Sequence, residues 1–397
     1  MQNLTFLALL TLLFVACDSN TSASGDHLRG EMDGLRARYA PDRRTDRVEV
    51  ETSVRGDSIL LTGYTTVAEA ARRIDSLAAA DPAVHADVRL LGQQDSFGLV
   101  RVSVANLRTT PGHSQELTSQ ALMGTPLELV DYADGWYLVR TPDRYLAWLE
   151  RGAIVPATAA ELAGWFGGDL YAFTPSEGQV RDAPEGGRIV SELVAGDLLR
   201  AAGRPAGTHT EVELPDGRTG FVSSDALQAY NNLSTPDGLS VSDLLATAAQ
   251  QAGRPYLWGG TSPKAMDCSG FTKTAYYLNG YVIPRDASQQ VRGGTDVPLD
   301  DEFSALRRGD LLFFGNHRDD GSERVTHVGF YLGEGRFLHA GADNGYITEN
   351  SLIEGAPDYA AHRRASLLRA RRLVPGTPDV VPIDSAFAAL YTRSSSR

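Results

Sequence analysis

The chain has 397 residues, of which 42% are hydrophobic and 22% are charged, and its formal net charge is −13. This length and composition are those of ordinary soluble protein with room for two to four domains. The negative charge argues against nucleic acid or another polyanion as the partner. It is compatible with a secreted protein that handles small zwitterionic peptides, although acidic composition by itself mostly reports solubility.

An apolar run occupies residues 4–16 and is followed at once by Cys17 and a polar segment. The run is too short to span a bilayer comfortably and ends as a signal peptide ends, which predicts a signal peptide over 1–16. The sequence before Cys17 resembles a lipoprotein processing site. This resemblance implies acylation of Cys17, a lipid-anchored linker over 17–26, and a location in the cell envelope on a bacterial membrane, either periplasmic or outer-facing. A plain secreted or membrane-anchored form stays open, because no Lys or Arg precedes the apolar run.

Residues 27–95 show a small α+β pattern in which we find no chemistry. The predicted elements are a helix over 28–39, strands over 47–51 and 58–62, a helix over 67–79 and a strand over 84–90. We interpret this region as a docking or spacer domain.

Short strands alternate with Gly and Pro turns over residues 99–158, and a weaker copy of the same pattern covers 168–230. In the first copy, Asn106-Leu107-Arg108 comes early and Gly135-Trp136-Tyr137 comes late. That order resembles a bacterial SH3-like barrel, which implies two such barrels in succession.

The stretch 258–271 places Cys268 at a predicted helix start. Pro263 and neighbouring glycines favour a turn, Asp267 can act as N-cap, and apolar residues then recur at helical spacing from Phe271. The helix dipole and the unpaired backbone N–H groups there predict a lowered thiol pKa, and hence a nucleophile. The alternative is that Cys268 is a small buried hydrophobe, as free cysteines often are.

Two histidines, His327 and His339, lie in segments with strand patterns joined by the turn 333–335. If Leu332 pairs with Arg336, the two imidazoles are diagonal neighbours on one face of the hairpin. One histidine can then take the thiol proton while the other orients it, which is the nucleophile–base–orienter arrangement of covalent catalysis.

Five sequence blocks in this order resemble the NlpC/P60 cysteine peptidases, namely 254–260, 267–271, 308–314, 327–329 and 337–340. The resemblance implies a papain-like α+β domain over 240–375, and thus an α+β multidomain chain with two SH3-like barrels and a small N-terminal α+β domain before the peptidase. It also implies four catalytic residues: Cys268 as nucleophile, His327 as base, His339 as orienting residue and Tyr256 on the oxyanion side. For Tyr256 a plain core-aromatic role is the alternative.

The combination of barrels and peptidase domain resembles the γ-D-glutamyl-L-diamino acid endopeptidases of the dipeptidyl-peptidase VI type. These enzymes cut peptidoglycan stem peptides that carry a free N-terminal L-Ala, and their first barrel closes one end of the groove. The resemblance implies substrate binding by five residues: Asp267, Ser269, Ser288, Glu116 and Tyr145. Roles without substrate contact remain open for three of them, since Asp267 can be a mere N-cap, Ser288 a surface or cap serine, and Glu116 a solvated charge.

The remaining expectations concern cofactors, partners and the C-terminus. We expect no metal or other cofactor, because Cys268 and the histidine pair lack a fourth ligand at suitable spacing. We expect a monomer whose substrate is L-Ala-γ-D-Glu-diamino acid, with diaminopimelate and lysine both open, and a flexible tail over 376–397. The alternative functions are a general endopeptidase acting on intact wall, a non-catalytic peptidoglycan-binding lipoprotein and, further off, an acyltransferase.

Overall fold

The computed structural model describes residues 11–203, 207–233 and 238–392, and within the first helix it describes side chains from residue 23 onward. The chain divides into two compact units between Gln94 and Asp95. The predicted signal peptide over 1–16 lies largely outside the described residues, and the side chain of Cys17 lies outside them as well.

The first unit packs two helices on a three-stranded sheet in the order β1-β2-β3, where β1 and β2 are antiparallel and β2 and β3 are parallel. The elements are α1 (Thr11–Tyr39), β1 (Val48–Arg55), β2 (Ser58–Thr65), α2 (Ala68–Ala80) and β3 (Val84–Leu90). The parallel pair requires a crossover, and α2 provides it. Leu28, Met32 and Leu35 of α1 recur at spacings of four and three residues and are buried in the core of this unit.

The elements predicted for this unit are confirmed, with one difference at its start. The first helix begins at Thr11, so helical backbone runs through residues 17–26, which the sequence predicts as a linker. Helix propagation is cooperative, and the packed segment from Leu28 supplies the stable part from which it extends. Within the described residues, no helix is both long and apolar enough to cross a membrane.

The second unit begins with two seven-stranded antiparallel sheets. The strands of the first are β4 (Phe97–Val100), β5 (Val104–Arg108), β6 (Leu117–Leu122), β7 (Pro126–Ala133), β8 (Trp136–Arg140), β9 (Leu146–Glu150) and β10 (Ile154–Ala157). Those of the second are β11 (Leu170–Phe173), β12 (Glu177–Arg181), β13 (Ile189–Val194), β14 (Leu198–Ala201), β15 (His209–Glu213), β16 (Thr219–Ser223) and β17 (Leu227–Ala229). Helix α3 (Ala159–Phe166) joins them and starts with a capping box between Thr158 and Glu161.

A buried carboxylate ties the two sheets together. Asp197, in the turn between β13 and β14, is fully buried and accepts hydrogen bonds from the backbone N–H of Val194 at 2.8 Å and of Met123, in the turn between β6 and β7, at 3.0 Å. The bond to Met123 crosses from one sheet to the other, and the only other acceptor of that N–H among the described residues is the more distant carbonyl oxygen of Ser103 at 3.4 Å, so the carboxylate favours a single arrangement of the two sheets.

The rest of the second unit is built on a six-stranded antiparallel sheet in the order β21-β26-β22-β23-β24-β25. Its strands are β21 (Thr295–Val297), β22 (Leu311–His317), β23 (Glu323–Gly333), β24 (Arg336–Gly341), β25 (Tyr346–Ser351) and β26 (Leu367–Arg372). Shorter strands are β18 (Thr261–Ser262), β19 (Ala265–Met266), β20 (Tyr281–Val282) and β27 (Val381–Pro382). The helices are α4 (Val241–Ala249), α5 (Cys268–Tyr277), α6 (Ala287–Gln290), α7 (Ala361–Ser366) and α8 (Ile383–Tyr391).

Helix α5 is the central helix of this domain and packs on the sheet through aromatic rings. Phe271 contacts Phe330 of β23 edge-to-face, with ring centroids 5.6 Å apart, and Tyr276 stacks on the same ring at 6.2 Å. All three side chains are fully buried. The start of α5 is therefore held rigidly against the strand that carries His327.

The first seven-stranded sheet docks on this domain through its edge strand β6. Gln120 exchanges three hydrogen bonds of 2.9–3.0 Å with Thr261 of β18, and Asp143 pairs with Lys273 of α5 at 2.8 Å. The Asp143 side chain is only 1% exposed. Contacts of this kind place the loop before β6, which contains Glu116, beside the start of α5.

The prediction of a flexible tail over 376–397 is wrong for much of that segment. Strand β27 pairs with β20, and α8 buries Ile383, Ala386 and Phe387 against residues of α3 and the first sheet. These three residues form the apolar face of a short helix within the segment that the sequence predicts as a flexible tail. Residues 393–397 lie outside the described residues.

Candidate active site

The thiol of Cys268 lies at the first residue of α5, as predicted. Asp267 is the N-cap, and its carboxylate accepts a hydrogen bond from the backbone N–H of Gly270 at 2.7 Å. Cys268 is 8% exposed and its thiol is free. The cysteine is therefore positioned by the capping geometry of the helix, close to the molecular surface.

The pKa of this thiol is raised, which corrects the predicted lowering. Burial raises the pKa of Cys268 to about 12, and the negative charge of Asp267 acts in the same direction. Backbone N–H groups of Val328 and Ser269 donate towards the sulfur and oppose the rise without overcoming it. Burial has the larger effect because removing a thiolate from water costs more free energy than its interaction with the helix N-terminus restores. The resting nucleophile is thus a thiol.

The two histidines contact each other directly. Nε2 of His327 lies 2.8 Å from Nδ1 of His339, with the rings perpendicular, and both side chains are buried. Their strands pair in the predicted register, since Phe330 faces Leu338. Nearer the turn the register slips by one residue, so that Gly333 rather than Leu332 faces Arg336.

A chain of hydrogen bonds fixes the proton positions in this pair. Nδ2 of Asn350, on β25, donates to the carbonyl oxygen of Asp358 at 3.1 Å, which turns Oδ1 of Asn350 towards Nε2 of His339 at 2.9 Å. That oxygen can only accept, so Nε2 of His339 carries the proton and its Nδ1 accepts from Nε2 of His327. Nδ1 of His327 is left unprotonated and available as a base. Asn350 is a functional candidate that the sequence analysis missed.

Burial keeps both imidazoles neutral. It lowers the pKa of His339 to about 4 and holds the pKa of His327 well below its ordinary value, and the neighbouring His339 and Arg363 lower that of His327 further. With a raised thiol pKa and a lowered imidazole pKa, the resting pair is a neutral thiol beside a neutral base.

A buried arginine holds the residues on either side of Cys268. Arg285 is 1% exposed; its Nη2 lies 2.6 Å from Oδ2 of Asp267, and its Nη1 donates to Oγ of Ser269 at 2.9 Å. Asp267 and Ser269 are predicted from the sequence as substrate-binding residues, whereas Arg285, three residues before Ser288, is not predicted. The charge of Asp267 is therefore already compensated inside the protein.

Glu116 and Tyr145 reach the site from the first sheet. Oε1 of Glu116 accepts a hydrogen bond from Nε1 of Trp258 at 2.7 Å, and the Trp258 side chain is 62% exposed. Among the described residues Glu116 has no cationic partner, so its charge is uncompensated. Tyr145 is buried and lies near enough to Arg285 to interact with its charge.

Tyr256 lies beside the nucleophile. It is half-buried, and burial together with the proximity of Cys268 and Asp267 raises the pKa of its hydroxyl. The hydroxyl therefore keeps its proton and has no hydrogen-bond partner among the described residues. It can donate to a negative charge that develops next to the thiol.

Ser288 lies apart from this cluster, on α6. It is half-buried and lines a cleft of about 410 Å³ together with Val291, Val325 and several arginines. The structure thus brings Cys268, His327, His339, Tyr256, Asp267 and Ser269 into one site, with Glu116 and Tyr145 at its barrel side and Ser288 in an adjoining cleft. No group of three His, Cys, Asp or Glu residues suited to a metal ion occurs within the described ranges.

Comparisons with known proteins agree with this architecture. Residues 253–363 match the NlpC/P60 family, and residues 107–154 match the bacterial dipeptidyl-peptidase SH3 domain. A solved NlpC/P60 family protein from Bacillus cereus is similar in fold, with a TM-score of 0.58 and 25% identity, over 70% of this chain and 100% of that one.

Two relatives are named as dipeptidyl-peptidases. The chain is 47% identical over 98 residues to a γ-D-glutamyl-L-lysine dipeptidyl-peptidase of Bacillus subtilis, a match that covers 25% of this chain and 31% of that protein. It is 29% identical to dipeptidyl-peptidase 6 of Lysinibacillus sphaericus over 66% of this chain and 93% of that one. The predicted α+β fold class, with a peptidase domain preceded by an SH3-like domain, is confirmed: residues 253–363 are an NlpC/P60 peptidase domain, and residues 107–154 are a bacterial dipeptidyl-peptidase SH3 domain.

Proposed function

We propose that this chain is a cell-wall cysteine peptidase that hydrolyses the γ-D-glutamyl–diamino acid bond of peptidoglycan stem peptides with a free N-terminal L-Ala. The observation that carries the proposal is the buried thiol at a helix start beside a histidine pair whose proton positions are fixed. The names of the relatives, a γ-D-glutamyl-L-lysine dipeptidyl-peptidase and a dipeptidyl-peptidase 6, support the choice of bond.

In this proposal the reaction proceeds by acyl transfer. The sulfur of Cys268 attacks the γ-carbonyl carbon of D-Glu while its proton passes to Nδ1 of His327, and His339 stabilises the imidazolium through the 2.8 Å contact. The C–N bond then breaks, the leaving amine takes that proton, and a thioester remains. Water attacks the thioester with His327 as base, which releases the dipeptide and restores the thiol.

Two groups are suited to stabilise the tetrahedral intermediate. The Tyr256 hydroxyl stays protonated and is without a partner among the described residues, so no existing hydrogen bond must break before it donates to the oxyanion. The second candidate is the set of backbone N–H groups at the start of α5, because the first N–H groups of a helix have no acceptor within the helix.

Recognition of the free N-terminus is assigned to Glu116. An ammonium group that loses water requires a carboxylate, since an unpaired buried charge is strongly unfavourable. Asp267 was the other candidate, but its charge is already paired with Arg285 at 2.6 Å. Glu116 has no such cation and is oriented by Trp258. We assign to Asp267 and Ser269 the role of maintaining the shape of the substrate groove. Tyr145 contributes to the wall of the groove on the side of the first sheet.

The N-terminal anchor is a separate proposal, supported by the apolar run over 4–16 and the position of Cys17 directly after it. We predict that the mature protein partitions into a detergent phase and that its N-terminal mass shows an acylated Cys17, because two or more acyl chains give stable anchoring. Cys17→Ser should release the protein or block its processing. A water-soluble mature protein whose N-terminus is not Cys17 would contradict the anchor.

The catalytic assignments predict a ranking of three substitutions. Cys268→Ala should abolish hydrolysis of L-Ala-γ-D-Glu-diaminopimelate, and His327→Ala should lower kcat by about 10²–10⁴-fold because the general base is lost. His339→Ala should cost less, since orientation is a smaller effect than proton transfer. Product formation is measured by mass spectrometry. His317→Ala, which removes an exposed histidine at the end of β22, is the control; turnover by Cys268→Ala would refute the mechanism.

The pKa directions predict the pH dependence. Because burial raises the thiol pKa to about 12, alkylation of Cys268 by iodoacetamide should still accelerate above pH 9. The lowered pKa of His327 means that the base stays neutral as the pH falls through 6.5, so kcat/KM should retain its value to below that pH. An alkylation rate that levels off near neutral pH would instead indicate a preformed thiolate–imidazolium pair.

The assignment of Glu116 predicts selectivity for free amines. Glu116→Gln keeps an acceptor for Trp258 and removes the charge, so KM for the free tripeptide should rise by about tenfold while iodoacetamide reactivity of Cys268 is unchanged. N-acetylated tripeptide should be a poor substrate for both proteins. Glu150→Gln, on the same sheet, is the matched control. Equal cleavage of acetylated and free peptides would make the enzyme a general wall endopeptidase.

A further inference from the structure

An arginine cleft adjoins the proposed active site. It has a volume of about 410 Å³ and is lined by a single acidic residue, Glu323, and by five arginines, which are Arg292, Arg318, Arg324, Arg369 and Arg371. In a chain with a net charge of −13 this concentration of positive charge is opposite in sign to the protein as a whole. A cleft of this size is large enough for one amino-acid side chain with its charged groups.

Three of the five arginines already interact with groups of the protein itself. Arg369 pairs with Glu323 at 2.6 Å, and Arg371 pairs with Asp296 at 3.1 Å. Arg318 donates to Oγ of Ser322 and lies near Asp320.

Among the described residues, no acidic side chain compensates the charges of the other two arginines. Arg292 and Arg324 are exposed, and within the described ranges their guanidinium groups make no hydrogen bond or ion pair. Two guanidinium groups are thus free to bind an anion, and Arg is suited to carboxylates because its donors form a planar fork.

The cleft opens next to the catalytic histidine. Val325, in its wall, is two residues before His327 on β23, which corresponds to roughly 7 Å along a strand. Val325 and Val291 also pack against the core cluster that includes Cys268. A substrate group attached to the scissile bond can therefore reach the arginines without leaving the domain that carries the thiol.

The charges around the site are arranged asymmetrically. The uncompensated carboxylate, Glu116, comes from the first sheet, whereas the uncompensated guanidinium groups belong to the peptidase domain. A stem peptide has the same polarity, with an ammonium at L-Ala and carboxylates in its later residues. The amine end and the leaving end of the substrate thus each meet a charge of opposite sign.

We propose that the arginine cleft is the subsite for the leaving diamino acid and that it selects a side chain ending in a carboxylate, as in diaminopimelate, over the side chain of lysine. This inference rests on the proposed function. Lysine would bring a lone ammonium against Arg292 and Arg324, and like charges repel. The side chain of diaminopimelate ends in both a carboxylate and an ammonium on the same carbon, and its carboxylate matches the two free guanidinium groups, whereas Glu323 is already paired with Arg369.

The test compares L-Ala-γ-D-Glu-meso-diaminopimelate with L-Ala-γ-D-Glu-L-lysine. The wild-type protein should cleave the first with a kcat/KM about tenfold higher, the size expected for two solvent-exposed charge pairs. In the double variant Arg292→Gln/Arg324→Gln this preference should shrink to about twofold, because kcat/KM falls for the diaminopimelate peptide alone. Raised salt should shrink the preference of the wild-type protein as well. Arg307→Gln, an exposed arginine outside the cleft, should leave it unchanged.

Equal loss on both peptides in the double variant, or a wild-type preference for lysine, would overturn the inference. Calorimetric binding of the two intact peptides to Cys268→Ala separates this test from that of the proposed function. Tighter binding of the diaminopimelate peptide, lost when Arg292→Gln/Arg324→Gln is added, supports the cleft even if the wild type cleaves neither peptide. Equal binding of both peptides refutes the cleft even if cleavage occurs.

Discussion

The geometry of the site depends on one carboxylate, that of Asp267. It caps α5 through the N–H of Gly270, accepts the N–H of Gly259 from the preceding turn at 2.9 Å, and pairs with the buried Arg285. Three separate segments of the chain therefore meet at this group. Loss of either partner of the ion pair would leave an uncompensated charge in the interior, which is far less favourable than the pair itself. The position of the thiol is thus coupled to a charge balance that extends well beyond the helix.

Burial, rather than the helix dipole, sets the protonation of the proposed catalytic groups. The same desolvation that raises the thiol pKa lowers both imidazole pKa values, so it favours the neutral form of each group. In the proposed mechanism the thiol therefore transfers its proton to His327 only after the substrate has bound. The amide of Asn350 contributes to this design without approaching the thiol, because its oxygen selects the tautomer of His339 and so leaves the correct nitrogen of His327 unprotonated. An inverted tautomer would turn a proton towards the sulfur in place of a lone pair.

Local patterns were sufficient to predict the start of α5 and the pairing of the histidine hairpin. Both depend on residues close in sequence: an N-cap, Asp267, four residues before the apolar Phe271, and two strands joined by a short turn. Arg285 could not be found in this way, since an arginine is almost never fully buried unless it is paired, and its partner is 18 residues away. The direction of the thiol pKa was missed for a related reason. A helix terminus is visible in sequence, whereas burial results from the whole fold. Helix α8 was missed because nine residues give little periodic signal.

Net charge says little about a site when charges are segregated. The chain is acidic overall, yet the cleft beside His327 is lined by five arginines and one glutamate. Between this cleft and Glu116 the proposed catalytic groups are neutral and the Asp267–Arg285 pair is internally compensated, so the uncompensated charges lie at the two ends of the site. A zwitterionic peptide with its ammonium at one end and carboxylates at the other is oriented by such fields before any close contact forms. Orientation of this kind needs no net charge on the protein, and it directs the scissile bond towards the thiol and its base, where the one adjacent ion pair, Asp267 with Arg285, is internally compensated.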